Sequence, residues 1–307
     1  MGRRLRFIPK EGLVEVTART VQGRFLLLPV PHWRETFVGV LGRAQELYPV
    51  RIHGYVCLSN HFHLLLTPAD AHQLASFMGH VLTNLSKEAG RLHGWRGPLF
   101  ERRYQAIAVS DEEAAQVERL RYMLAHGCKE GLVEHVGDWP GPHCAESLKT
   151  GSPAKGVWVS RTRIWDARNH GRRPDSREFC HRYEIRLDPL PCWAHMASDN
   201  IRRRVLELIQ SIEEGVGLVA ARRGGSRALG VEKILAQDAY ARPRTLDRRP
   251  APLIHAARRR KRREFRKLYG EFLRAFCAAA ERMRNGLAEF SFPEGSFSPS
   301  VVSSKPG

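Results

Sequence analysis

The chain has 307 residues, 42% of them hydrophobic, which is ample for a buried core and a length for about one or two domains. Its 50 Lys and Arg against 32 Asp and Glu leave a formal net charge of +18, far beyond what solubility requires, so a polyanion is the expected partner and nucleic acid the commonest one. No apolar run is long enough to cross a membrane, and Met1 to Lys10 lacks the apolar core of a signal peptide, so the protein is expected to be soluble and intracellular.

Leu13 to Leu28 alternates as a strand does, with Gln22-Gly23 as a turn and a short apolar continuation. Pro29 and Pro31 break that pattern, and Phe37, Val40, Leu41, Ala44 and Leu47 then recur at helical spacing within Trp33 to Leu47. Arg51 to Leu58 is rich in β-formers, and only Ser59-Asn60 separates it from a second apolar run opening with His61, which predicts a tight antiparallel hairpin. An amphipathic helix, with Asp70 as its N-cap, is predicted to about Arg91. The loop His93 to Tyr104 mixes Arg96, Arg102 and Arg103 with Trp95, a combination that grips phosphates and stacks bases; the bland alternative is a solvated loop with aromatic core anchors. Gln105 to Val109 predicts a closing strand, and Ser110, as N-cap, a helix through about His126 with Gly127 beyond its end. The order β-α-β-β-α-β-α is that of a split β-α-β, ferredoxin-like α+β sandwich with one further helix.

Residues 146–195 read as a linker or irregular region, and 196–290 as a mainly helical basic accessory region. The helices expected there are Ile201 to Glu214, Val231 to Gln237 and Ala256 to Arg284. The last carries six successive cations, Arg258, Arg259, Arg260, Lys261, Arg262 and Arg263, whose mutual repulsion favours a phosphate partner. A Ser/Pro-rich tail over 291–307 reads as disordered. The six cysteines are scattered without a C-x-x-C pair, which predicts reduced, mostly buried thiols.

Chemistry concentrates where His61 and His63 flank Phe62. On a strand both imidazoles leave one face while Phe62, Leu64 and Leu66 leave the other. Such a pair begins a divalent-metal site and needs a third ligand. Tyr122 and His126, four residues apart on one helical face, lie about 6 Å from each other. If that helix crosses the histidine face, His126 completes the site and Tyr122 stands beside it as a nucleophile for a phosphodiester. No nucleophile elbow, P-loop or paired-carboxylate motif competes. Tyr104 is the rival tyrosine, but it has no ligand one turn away.

Asn60-His-Phe-His63, Trp95-x-Gly97-Pro-Leu-Phe100, Arg121-Tyr122, Lys129-x-Gly131-Leu-Val133 and Asp138-Trp-Pro140 together resemble the single-tyrosine HUH transposases, in particular the REP-associated tyrosine transposases. The resemblance covers roughly residues 12–142, within a catalytic region of 1–145. It implies a bacterial enzyme, cytoplasmic and nucleoid-associated, that cleaves and rejoins single-stranded DNA beside hairpins. It also implies Mg2+ or Mn2+ at His61, His63 and His126, a 5′-phosphotyrosine at Tyr122, no ATP, and a homodimer. Position 126 departs from many relatives, which carry Asn there; a site of three histidines is softer and shifts preference toward Mn2+ or Zn2+. Two other readings fit the same residues: a catalytically inactive or domesticated hairpin-DNA-binding regulator, and a zinc-stabilised RNA-binding or adaptor protein.

Overall fold

The structure is a computed structural model that describes residues 4–173, 175–222, 228–243, 251–287 and 290–297. The first half alternates β1 (Val14–Arg19), α1 (Trp33–Leu47), β2 (Arg51–Cys57), β3 (His61–Thr67), α2 (Ala71–His93), β4 (Gln105–Val109) and α3 (Glu113–Leu124). The strands lie in the order β2-β3-β1-β4, each antiparallel to its neighbour, so this is an α+β fold. One face of the sheet is apolar: Phe62 of β3 meets Phe37 of α1 edge-on, with ring centroids 5.8 Å apart. The other face carries Glu15, Thr17 and Arg19 of β1 directly opposite Leu65, His63 and His61. Period-two alternation thus sends the hydrocarbon to the helices and the polar groups to the opposite side.

Element ends follow local chemistry. Asp70 caps α2, its Oδ1 accepting from the Gln73 N–H at 2.7 Å, and Gly94 closes that helix at φ 63°. At α3 the cap is displaced from the expected Ser110 to Glu112, because the Ser110 hydroxyl donates to the Glu112 carboxylate at 2.7 Å instead of capping the helix. The Asp138-Trp-Pro segment closes on the sheet through Trp139 Nε1, which donates to the Cys57 carbonyl at 2.9 Å.

The region expected to be irregular contains α4 (Ala145–Thr150), β5 (Ala154–Val159), α5 (Arg161–Asn169) and β6 (Cys180–Ile185). β5 and β6 form an antiparallel hairpin against the outer side of α1. Glycines permit that approach: a Cβ at Gly39 would fall 2.2 Å from the Val157 carbonyl, and one at Gly156 2.2 Å from the Gly39 nitrogen. Short strands among Gly, Ser and Pro disguise this layer as a linker.

Beyond it lie α6 (Ser198–Arg222), α7 (Val231–Leu235), β7 (Ile254–His255) and α8 (Arg259–Arg284). β7 adds to the sheet as a fifth strand, parallel to β4, with Val109 opposite His255. Of the tail expected to be disordered, 298–307 lies outside the described residues. Its beginning is packed, with Phe292 against Phe276 at 5.0 Å and the Ile8 N–H donating to the Gly295 carbonyl at 3.1 Å. Cys57, Cys128 and Cys144 are buried, Cys192 is partly buried, and Cys180 and Cys277 are exposed. Among the described residues no helix is long and apolar enough to cross a membrane.

Candidate active site

α3 lies across the polar sheet face, and the chain just after it brings His126 over β3. Ring centroids of His61 and His63 are 5.2 Å apart, those of His61 and His126 5.6 Å, and those of His63 and His126 4.5 Å. One ring nitrogen from each histidine lies within 4.8 Å of the others. Tyr122 joins from one helical turn earlier, its ring 4.9 Å from His126 and 5.9 Å from His63.

Each imidazole is held from behind by an acceptor. His61 Nδ1 is 2.6 Å from Asn60 Oδ1, His63 Nδ1 2.9 Å from Glu15 Oε1, and His126 Nδ1 2.9 Å from Glu130 Oε1. A side-chain carbonyl or carboxylate oxygen can only accept, so each Nδ1 carries a proton and each Nε2 is the nitrogen turned toward the other two rings. This is the arrangement that orients histidine ligands for a metal. Burial, then the neighbouring imidazoles, hold His61 well below the ordinary histidine range; burial, then His63 and Lys129, do the same for His126. Three imidazole ligands suit Mn2+, Fe2+ or Zn2+ better than Mg2+.

Glu15 is a buried carboxylate at the centre of this support. Its Oε1 takes His63, while its Oε2 stands 2.8 Å from His255 Nε2 and 3.6 Å from Arg119. Burial pushes the carboxyl up, but the imidazoles of His255 and His63 outweigh it and hold Glu15 well below the usual carboxylate range. Around Tyr122, Lys129 Nζ sits 3.1 Å from the ring centroid and the Arg119 guanidinium carbon 4.6 Å from it. Burial, then Glu15 and Glu130, push the phenol up, whereas burial lowers Lys129 to about 8.

The structure therefore brings together His61, His63, Tyr122 and His126. Tyr104 is elsewhere, buried beneath the Arg6 guanidinium at 4.3 Å. Trp95 is partly buried against Tyr240, its Nε1 donating to the Pro98 carbonyl at 3.2 Å, and Arg96 is exposed. Arg102 and Arg103 are exposed, and Arg103 donates to the Arg4 carbonyl at 3.1 Å. In the basic run, Arg258 faces Glu112, Arg260 Glu264 and Lys261 Asp111. Arg262 donates to the carbonyls of Ala256 and Ala257. The helix thus answers much of its own repulsion, leaving Arg259 and Arg263 exposed and unpaired among the described residues. The supporting residues Glu15, Arg119, Glu130 and His255 escaped the sequence reading, and Lys129 entered it only as part of the Lys129-x-Gly131-Leu-Val133 motif. Glu15 had a signal, as the polar phase of β1, and Glu130 another, one turn after His126.

Several solved structures resemble this chain. One is a REP-associated tyrosine transposase bound to a REP hairpin, at 18% identity and TM-score 0.41, over 48% of this chain and 85% of the other. Another is a protein of Deinococcus radiodurans R1 described as a candidate transposase, at 15% identity and TM-score 0.28, over 39% of this chain and 95% of the other. No known protein family and no curated protein matches the sequence.

Proposed function

We propose that the chain is a metal-dependent single-stranded DNA endonuclease and strand transferase, a transposase of the HUH type, that cuts beside DNA hairpins through a phosphotyrosine at Tyr122. The observation that carries this reading is the convergence of three back-supported histidines with a tyrosine one helical turn from the third. The β-α-β-β-α-β order and the β2-β3-β1-β4 strand order support a ferredoxin-like HUH arrangement, with the site on the face that α1 and α2 leave open. The preference for hairpins rests on the motifs shared with REP-associated tyrosine transposases.

In the reaction the Tyr122 oxygen forms a bond to phosphorus as the bond from phosphorus to the 3′ oxygen breaks. The phenol gives up its proton and the departing oxygen takes one, leaving a 5′-phosphotyrosine and a free 3′-hydroxyl. The bond energy is conserved in the ester, so rejoining is the reverse step and needs no ATP. A divalent ion at His61, His63 and His126 would polarise the phosphodiester and orient it for attack. Lys129 and Arg119, already against the Tyr122 ring, supply positive charge to the phenolate. Arg259 and Arg263 of α8 offer unpaired charge to more distant phosphates.

The test is incubation of the protein with an end-labelled single-stranded hairpin oligonucleotide and Mn2+ or Mg2+, followed by denaturing electrophoresis. A covalent adduct is expected, abolished by Tyr122→Phe and by chelation, with hairpin binding retained by the variant. An adduct surviving Tyr122→Phe, or hairpin binding with no adduct under any divalent ion, would favour the non-catalytic regulator instead.

A further inference from the structure

A cavity of about 330 Å³ opens beside the start of β4, where three segments distant in sequence meet: residues 4–7, 102–107 and 251–253, with Phe265 and Tyr269 of α8 as part of its wall. Four arginines line it, Arg4, Arg6, Arg102 and Arg103, and no carboxylate does. Arg4 and Arg103 are partly committed to structure, donating to the carbonyls of Ala251 and Arg4. Arg6 is different. Its guanidinium carbon lies 4.3 Å from the Tyr104 ring and 4.0 Å from the Phe297 ring, so the plane is held between two aromatic faces. Its Nε and Nη1 are buried with no hydrogen-bond partner among the described residues. A buried donor left unpaired is costly, and a charged one more so. The same segment is anchored by the Tyr269 hydroxyl, which donates to the Leu5 carbonyl at 2.8 Å.

An anion with several oxygens satisfies these donors and the surplus charge together. The aromatic walls of Phe7, Phe265 and Tyr269 add an apolar surface that a bare inorganic ion does not use. The register places the cavity relative to the histidines: Gln105, on its lining, lies directly opposite Thr17, and Thr17 directly opposite His63. Two strand spacings, about 10 Å, separate the backbones of Gln105 and His63. The geometry points to a subsite for a nucleotide of the single strand, Arg6 receiving a backbone phosphate a short distance along the chain from the phosphodiester held at His63. It rests on the reading of this protein as a single-stranded DNA enzyme. Burial lowers the Arg6 pKa, against the opposing pull of Tyr104.

The experiment uses the full chain and fluorescent hairpin oligonucleotides with and without a single-stranded tail, the tail carrying a neutral methylphosphonate at each phosphate in turn. Arg6→Gln is expected to weaken binding of the tailed hairpin by about tenfold, to lower the salt slope by about one ion, and to leave the tail-less hairpin unaffected. One methylphosphonate position is expected to weaken wild type by the same factor and Arg6→Gln no further. Arg102→Gln, at an exposed side chain that folding does not depend on, is expected to show the same tail dependence if Arg6→Gln fails to fold. Equal loss on tailed and tail-less DNA, or no methylphosphonate position matched to these variants, overturns the subsite. Arg6-dependent stabilisation of the protein by deoxyadenosine monophosphate or inorganic phosphate, with no tail effect, also overturns it in favour of a free nucleotide or ion. The tyrosine adduct is scored separately at saturating DNA: its absence with an intact tail effect removes the chemistry and leaves the subsite standing.

Discussion

At the scale of single residues, the candidate centre is defined by what stands behind its ligands as much as by the ligands. Glu130 receives both the His126 imidazole, at 2.9 Å, and the Gly127 N–H, at 2.7 Å, so it sets the ring's tautomer and the backbone that carries it. Gly127 adopts φ 92°, a conformation that side chains disfavour, and thereby turns His126 and Glu130 toward each other. Glu130→Gln keeps the size of the side chain but removes the acceptor charge; Mn2+ affinity by titration calorimetry is expected to fall about 10- to 100-fold, with the fold intact. His126→Asn, which restores the residue common among the resembling transposases, is expected to shift the preference among divalent ions from Zn2+ and Mn2+ toward Mg2+, read from competition between them. Lys129 Nζ lies 3.5 Å from His126 Nε2, so the same lysine that flanks the tyrosine also faces the nitrogen with which His126 would ligate a metal.

At the scale of elements, α1 is a helix with two partners: the sheet on one side, through Phe37, and the β5-β6 hairpin on the other, across Gly39 and Gly156. Gly39→Ala drives a methyl group into the Val157 backbone, which cannot yield as a flexible side chain would. Urea unfolding is expected to show a loss of about 3 kcal/mol, with little effect on metal affinity, since the site lies on the opposite sheet face. Much of the first half was legible in the sequence. Asp70, Trp33 and the turn at Ser59-Asn60 each carry a local signal, and the His61-Phe62-His63 alternation assigns opposite faces through the period of two alone. The packing of β5 and β6 on α1 was not legible, because what makes it is a contact between Gly39 and Gly156, and glycine in each strand or helix reads locally as weakness. Nor was His255: a two-residue strand has no periodicity, and only pairing with Val109 assigns it a place.

At the scale of the molecule, several histidines outside the site tie separate regions together as neutral groups. His53 donates through Nδ1 to the Pro189 carbonyl at 2.8 Å, with Nε2 against Thr67 Oγ1 at 2.8 Å, joining β2 to the segment after β6. Burial lowers His53 and His143 to about 4. The folded state excludes a proton that the unfolded chain takes up below about 6.5, so their contribution is complete above that pH and is lost as pH falls from about 6.5 to about 4. For each residue the loss approaches about 3 kcal/mol at the acid end. Urea midpoints measured with chelator between pH 7.5 and 4.5 are expected to decline, and His53→Asn to flatten the slope by about one proton. The fifth strand, finally, sets an order in time. The Glu112 carboxylate that receives the N–H of Ala257, at the exit from β7, lies 145 residues earlier in the chain, and the chain between is synthesised at about 5–20 residues per second. For roughly 10–30 s a growing chain therefore carries its three histidines and Tyr122 with Glu15 short of one imidazole and β4 uncovered. The last part of the centre to be made is a histidine that binds nothing itself, so a truncated product would inherit the ligands without their full support.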